Sequence, residues 1–267
     1  MNHFYFEIRN NSIHTVEFGE GKKILICFHG FGEQAEKFIV LAPALSKNYS
    51  VIAVDLPFHG KTKWSSDEIF MREDLIILID QILQSKNENR FSLLGYSMGG
   101  KIVLAAVNDF ASQIDEVILA APDGVENDRW YNVAVYPAWG QRLFFRFITK
   151  PNFVFTVAKF LRAIRVLNDR LFNFLWLQTD SEDKRRMVYN VWMAMREMKT
   201  NLSKTKIILR KHHIKSFIFI GKYDQVITLA IGKKFSSGLS DCKYVILEKG
   251  HNLITESFNE NLNEAFQ

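Results

Sequence analysis

Three residues of this chain have the types and the order needed to break an acyl bond, and each follows a run that reads as a β-strand. Ser97 lies in Gly95-Tyr96-Ser97-Met98-Gly99, between the strand-like Arg90–Leu94 and the helix-like Lys101–Val107. The spacing G-x-S-x-G suits a sharp strand-to-helix turn, because glycines at 95 and 99 leave space where a side chain would strike the neighbouring chain. Such a turn holds the serine hydroxyl clear of its own backbone. It also leaves the Met98 N–H at a helix start, facing the space where an oxyanion would form. Asp224 follows the strand-like Ser216–Ile220, and His251 follows Tyr244–Leu247, so that nucleophile, acid and base are 127 and 27 positions apart. A histidine takes a proton from serine efficiently only when an acid fixes its tautomer. In an open parallel sheet the C-terminal strand ends line one crevice, so residues this distant in sequence can meet. Taken singly, Asp224 reads as a turn residue and His251 as a helix-start residue; their order along the chain is what suggests catalysis.

With these residues in view the chain resembles the α/β-hydrolase family over nearly its whole length. Lys23–Phe28 reads as a buried strand leading into His29-Gly30-Phe31-Gly32, which is similar to the family's oxyanion loop. The resemblance implies that the Phe31 N–H is the second oxyanion donor opposite Met98. His29, at the end of its strand, reads as a loop-holding residue, with a role as base the alternative. Ser50–Gly60 is similar to the family's strand and turn ending Asp-x-Pro-Gly-x-Gly, with Asp55 and His59 as turn residues and Phe58 in place of the usual first glycine. Some family members carry the acid one strand earlier, and Asp123, after the strand-like Glu116–Leu119, is therefore a rival to Asp224. Gly221-x-x-Asp224 followed by the apolar turn Gln225-Val226-Ile227 is the commoner form and favours Asp224.

These residues need a scaffold. Strands and helices alternate up to about residue 124 and again after about 212, with helical apolar spacing over Ala35–Leu45, Glu68–Leu83 and Ser97–Phe110. Met1–Arg9 alternates like an edge strand and lacks the charged segment and apolar run of a signal peptide. The resemblance implies an α/β fold: a doubly wound, mostly parallel eight-stranded sheet with helices on both faces and an inserted all-helical cap. The expected organisation is core over 1–124, cap over 125–211 and core again over 212–267. With 267 residues of which 48% are apolar, the chain suits one domain with an insertion. No transmembrane span is visible, and the expected location is cytoplasmic. Cys27 and Cys242 have neither metal nor redox spacing, and neither metal nor cofactor is expected.

The expected cap differs in composition from the core. Residues 125–211 carry 17 Lys and Arg against 7 Asp and Glu, and 15 of the chain's 36 aromatics. Gly140–Lys150 and Ala158–Leu167 read as amphipathic helices with basic edges, and Trp176 and Trp192 add to the aromatic content. Three explanations fit: aromatics packed on the core and lining a pocket, recognition of an anionic substrate or an acidic acyl carrier, or association with an anionic membrane surface. No nucleic-acid motif appears, and stable membrane insertion is not expected.

The leading expectation is a serine hydrolase acting on a small-molecule carboxylic ester or thioester with an apolar acyl or aryl group that can carry an anion. Tyr96, Lys101, Trp130 and Trp139 are candidate substrate contacts. Gly95–Lys101 is also similar to the lyases of menaquinone biosynthesis called SHCHC synthases, although lysine stands at 101 where they have arginine, which alone has a planar bidentate fork. A carbon–carbon bond hydrolase and a ligand receptor without activity are the remaining alternatives.

Overall fold

The computed structural model describes residues 1–126, 129–150, 156 and 181–266. The predicted helix over 158–167 and Trp176 lie outside the described residues. The chain divides into two compact units. The first comprises Met1–Ser65, Phe70–Glu126 and Met198–Gln267, and the second Ser66–Ile69 and Asn127–Glu197.

The first unit contains an eight-stranded sheet of β1 (Asn2–Ile8), β2 (Asn11–Phe18), β3 (Lys23–Phe28), β4 (Tyr49–Val54), β5 (Phe91–Tyr96), β6 (Ile114–Ala120), β7 (Lys215–Gly221) and β8 (Cys242–Leu247). Their order is β1-β2-β4-β3-β5-β6-β7-β8. β2 is antiparallel to both its neighbours, and every pair from β4 to β8 is parallel. β3 and β5 are buried along almost their whole length, as strands covered on both faces must be.

After β3 a 3-10 helix (Ala35–Leu41) and the one-turn α1 (Ala42–Leu45) lead back to β4, whereas α2 (Arg72–Lys86) carries the chain across to β5 and α3 (Met98–Phe110) to β6. The direction of winding therefore reverses at β3. Right-handed crossovers that run in opposite directions put their helices on opposite faces. α1 accordingly packs on the C-terminal helix, and α2 packs on α3. The crevice of a doubly wound sheet opens at this reversal, beyond the C-terminal strand ends.

α2 begins at Arg72 rather than at the expected residue 68, because the Asp74 carboxylate accepts from the Met71 N–H at 2.7 Å and fixes the helix start. The sequence reading did not include β2. Its His14 and Thr15 are buried, and the His14 side chain pairs with Asp55.

The second unit contains α4 (Arg129–Val135), α5 (Ala138–Thr149), α6 (Glu182–Ala194) and a 3-10 turn at Met195–Glu197. Four of its aromatics form a cluster: Tyr131 lies 5.2 Å from Trp192, and Phe144 lies 5.2 Å from Tyr189 and 5.3 Å from Trp192. The expected insertion ran to 211, but α7 (Leu202–Lys211) belongs to the first unit and packs on α3. α7 is helical and basic like the residues before it, so composition gave no boundary there. The remaining helices, α8 (Leu229–Ser236) and α9 (Phe258–Phe266), complete the first unit.

Candidate active site

The parallel register sets the strand ends level, since Phe28 pairs with Gly95, Tyr96 with Ala120, Ala120 with Phe219 and Gly221 with Leu247. Residues just past these ends, 31, 97, 123, 224 and 251, therefore share one edge of the sheet.

Ser97 sits between β5 and α3 with φ 49° and ψ −116°. A non-glycine residue there costs of order 1–3 kcal/mol, which the surroundings must offset. Three bonds hold it: its N–H donates to the Ala120 carbonyl at 3.0 Å, and its own carbonyl accepts from Gly100 at 2.9 Å and Asp123 at 2.8 Å. A Cβ at Gly99 would lie 1.9 Å from the Phe28 carbonyl oxygen, and one at Gly95 would lie 2.6 Å from the Gly99 oxygen. Both elbow glycines are therefore required by close approach of backbone.

His251 Nε2 lies 2.9 Å from Ser97 Oγ, and His251 Nδ1 lies 2.7 Å from Asp224 Oδ2. A carboxylate can only accept, so Nδ1 carries the proton and Nε2 accepts from the serine hydroxyl. The Asp224 side chain is fully buried, and its other oxygen accepts from the N–H groups of Val226 at 2.7 Å and Ile227 at 2.9 Å. The sequence rival Asp123 is exposed and accepts from the Gly124 N–H at 2.7 Å, so Asp224 is the carboxylate that reaches the histidine.

Met98 is the first residue of α3, where a helix leaves its N–H without an intrahelical acceptor. Phe31 follows β3 in a loop that approaches Ser97 closely: a Cβ at Gly30 would lie 3.3 Å from Ser97 Cβ and 3.0 Å from the Tyr96 ring. Two buried imidazoles brace this loop. His29 Nδ1 donates to the Gly30 carbonyl at 2.7 Å and its Nε2 accepts from the Leu56 N–H at 3.0 Å, while His59 Nε2 accepts from the Gly32 N–H at 3.0 Å. Burial pushes His29 down to about 3, with the neighbouring His59 adding to the effect, and burial likewise lowers His59. Both are neutral and act as loop braces. Asp55 ties the same loop to the sheet, accepting from the Ala35 N–H at 2.6 Å, the Lys61 N–H at 2.8 Å and His14 Nδ1 at 2.7 Å. Phe58 has φ 66°, in the left-handed region that favours glycine.

The four expected substrate contacts have different fates. Tyr96 is 4% exposed, and its hydroxyl donates to the His251 carbonyl at 3.2 Å, which ties it to the histidine loop. Burial raises its pKa, and the carboxylates of Glu33 and Asp224 raise it further. Lys101 lies on the first turns of α3 against Gly124; burial lowers its pKa, and Asp123 opposes that shift. Trp139 lies on α5 of the second unit, exposed. The side chain of Trp130 lies outside the described residues. The sequence reading missed two positioning features, the Tyr96–His251 bond and the His14–Asp55 pair, since neither bond partner can be inferred from residue type. A histidine within the β-patterned Asn11–Phe18 was the available signal for His14.

Over residues 23–258 the sequence matches the alpha/beta hydrolase fold family. The chain belongs to that family. Among curated relatives, an uncharacterized hydrolase, YugF, from Bacillus subtilis (strain 168) is 34% identical over 104 residues, 39% of this chain and 38% of that protein. A pimeloyl-[acyl-carrier protein] methyl ester esterase from Legionella pneumophila (strain Corby) is 29% identical over 125 residues, 46% of this chain and 48% of its own. The chain thus aligns with less than half the length of each of these two proteins. The thioesterase domain from the curacin biosynthetic pathway superposes with a TM-score of 0.65 at 18% identity, over 100% of this chain and 99% of that one, a likeness of fold. No helix among the described residues is long and apolar enough to cross a membrane.

Proposed function

We propose that this hydrolase cleaves a carboxylic ester or thioester of a small molecule through an acyl-enzyme on Ser97. The observation that carries the reading is the hydrogen-bonded chain from Ser97 Oγ through His251 to the buried Asp224 carboxylate. His251 Nε2 takes the hydroxyl proton as Oγ attacks the acyl carbon, and Asp224 stabilises the resulting imidazolium. The N–H groups of Phe31 and Met98 hold the tetrahedral oxyanion, each contributing roughly 10²–10³ in rate. Collapse expels the alcohol or thiol, which receives the proton from Nε2. Water then attacks the acyl-enzyme with His251 again as base, and every proton moves through the one imidazole.

An ester substrate is supported by the Legionella relative, whose name specifies a methyl ester on an acyl-carrier protein. The 14 cations of residues 125–211 other than Arg142, Arg146 and Lys150, against 7 anions, support an acyl group that carries an anion or arrives on an acidic carrier. The test is stoichiometric labelling of Ser97 by a fluorophosphonate, together with turnover of short p-nitrophenyl esters. Folded protein that neither labels nor turns over would overturn the proposal. Pyruvate release from the SHCHC-synthase substrate, with no ester turnover, would replace it with the lyase.

A further inference from the structure

The second unit carries a face that the proposed chemistry does not use. α5 buries Gly140, Phe144, Phe147 and Ile148, all on one side of the helix. Its other side presents large apolar groups to water: Trp139 at 61%, Leu143 at 51% and Phe145 at 54% exposure. Exposed arginines at 142 and 146 and the exposed Lys150 lie among them. At 3.6 residues per turn Arg142, Arg146 and Lys150 form one row, with Trp139 and Leu143 along one side of it and Phe145 along the other. α5 contains no acidic residue, and none of the three cations has a carboxylate partner among the described residues.

We propose that α5 is a surface-docking helix that lies on an anionic lipid bilayer. Charge complementarity selects an anionic partner, and the exposed tryptophan, leucine and phenylalanine select lipid over an acidic protein. An acidic protein would satisfy the cations and leave three large apolar side chains in water. In the plane of a bilayer both groups are satisfied, the guanidinium and ammonium groups at the phosphates and the apolar side chains below them at the acyl boundary. The helix lies on the surface and does not span it, which agrees with its 12 residues, too few to cross a hydrocarbon core. The docking is independent of the proposed ester chemistry, since none of Ser97, Asp224 and His251 takes part.

The test is co-sedimentation of the full chain with large unilamellar vesicles, either pure phosphatidylcholine or phosphatidylcholine with a quarter phosphatidylglycerol. Binding to the anionic vesicles alone is expected, weakened at 0.5 M salt. Each basic residue near an anionic surface strengthens binding roughly fivefold, so the triple variant R142Q/R146Q/K150Q is expected to bind about 100-fold more weakly. L143S should also weaken binding to the anionic vesicles, because the apolar groups contribute separately. Circular dichroism checks that each variant is folded, and turnover of a water-soluble p-nitrophenyl ester by the triple variant should stay within twofold of wild type. The proposal is overturned if wild type does not sediment with anionic vesicles, if the triple variant sediments equally well, or if the chain captures apo acyl-carrier protein but no vesicle.

Discussion

The two units use their polar and aromatic side chains in opposite ways. In the first, the buried polar groups around the site are committed to defined partners: His29 and His59 to loop backbone, Asp55 to His14 and two N–H groups, and Asp224 to His251 and two more. In the second, Tyr131, Phe144, Tyr189 and Trp192 pack in one cluster while cations and a set of apolar side chains on α5 face solvent. A reactive site needs atoms held in place, which saturated hydrogen bonds provide; a recognition face needs uncommitted side chains. The largest effects should therefore come from removing single atoms in the first unit.

Ser97→Ala should lower ester turnover by about 10⁵–10⁶ while leaving thermal stability within about 1 kcal/mol, because the hydroxyl accounts for one hydrogen bond and the proposed nucleophile. Stopped assays on mass-verified protein would read this. Asp224→Asn should cost about 10⁴ through the wrong imidazole tautomer, and Asp123→Asn about twofold or less. Equal losses at 123 and 224 would break the contrast, since only Asp224 touches His251.

The strand ends carrying Ser97 and Asp224 were legible because a buried parallel strand reads as a short apolar run, and the residue after it must lie at the crevice; the half-exposed edge strand before His251 was legible from its β-branched and aromatic run Tyr244–Leu247. Apolar runs do not reveal where a hydroxyl points. Tyr96 therefore read as a substrate contact, whereas its phenol is bonded to the His251 backbone 155 residues away. The boundary at 197 was illegible for a related reason: α7 repeats the helical, basic pattern of the second unit, and only its packing on α3 assigns it to the first. The pairing of His14 with Asp55 joins residues 41 apart, and neither shows in its own sequence what the other will do.

Backbone packing in the first unit should also be unforgiving. Gly99→Ala places a Cβ 1.9 Å from the Phe28 carbonyl oxygen, and backbone rather than a flexible side chain must move. A loss of about 3 kcal/mol is expected, which lowers the midpoint by about 10 °C in a thermal melt. Acid should act on the same unit. His29 and His59 titrate lower when folded than when unfolded, so below about pH 6.5 the unfolded chain binds more protons and stability falls as pH drops. The slope should be of order 1 kcal/mol per pH unit for each group. Denaturant midpoints at pH 7.5, 6 and 5 would show it, and His29→Asn should flatten the dependence; a slope unchanged in that variant would remove His29 from the explanation.

The smallest effect should come from the solvent-facing side of α5, and two adjacent phenylalanines make the test internal. Phe144 is 7% exposed and lies against Tyr189 and Trp192, whereas Phe145 is 54% exposed, with the Tyr189 ring centroid 5.7 Å away. Removing a buried aromatic ring costs about 3–5 kcal/mol, and removing an exposed one about 0.5 kcal/mol. Phe144→Ala should therefore open the second unit to limited proteolysis and to amide exchange along α5 and α6, with the first unit's protection retained. Phe145→Ala should leave both readouts near wild type. If Phe145→Ala destabilises as much as its neighbour, its ring belongs to the aromatic cluster, and the solvent-facing side of α5 loses one of the three apolar groups that distinguish a lipid surface from an acidic protein.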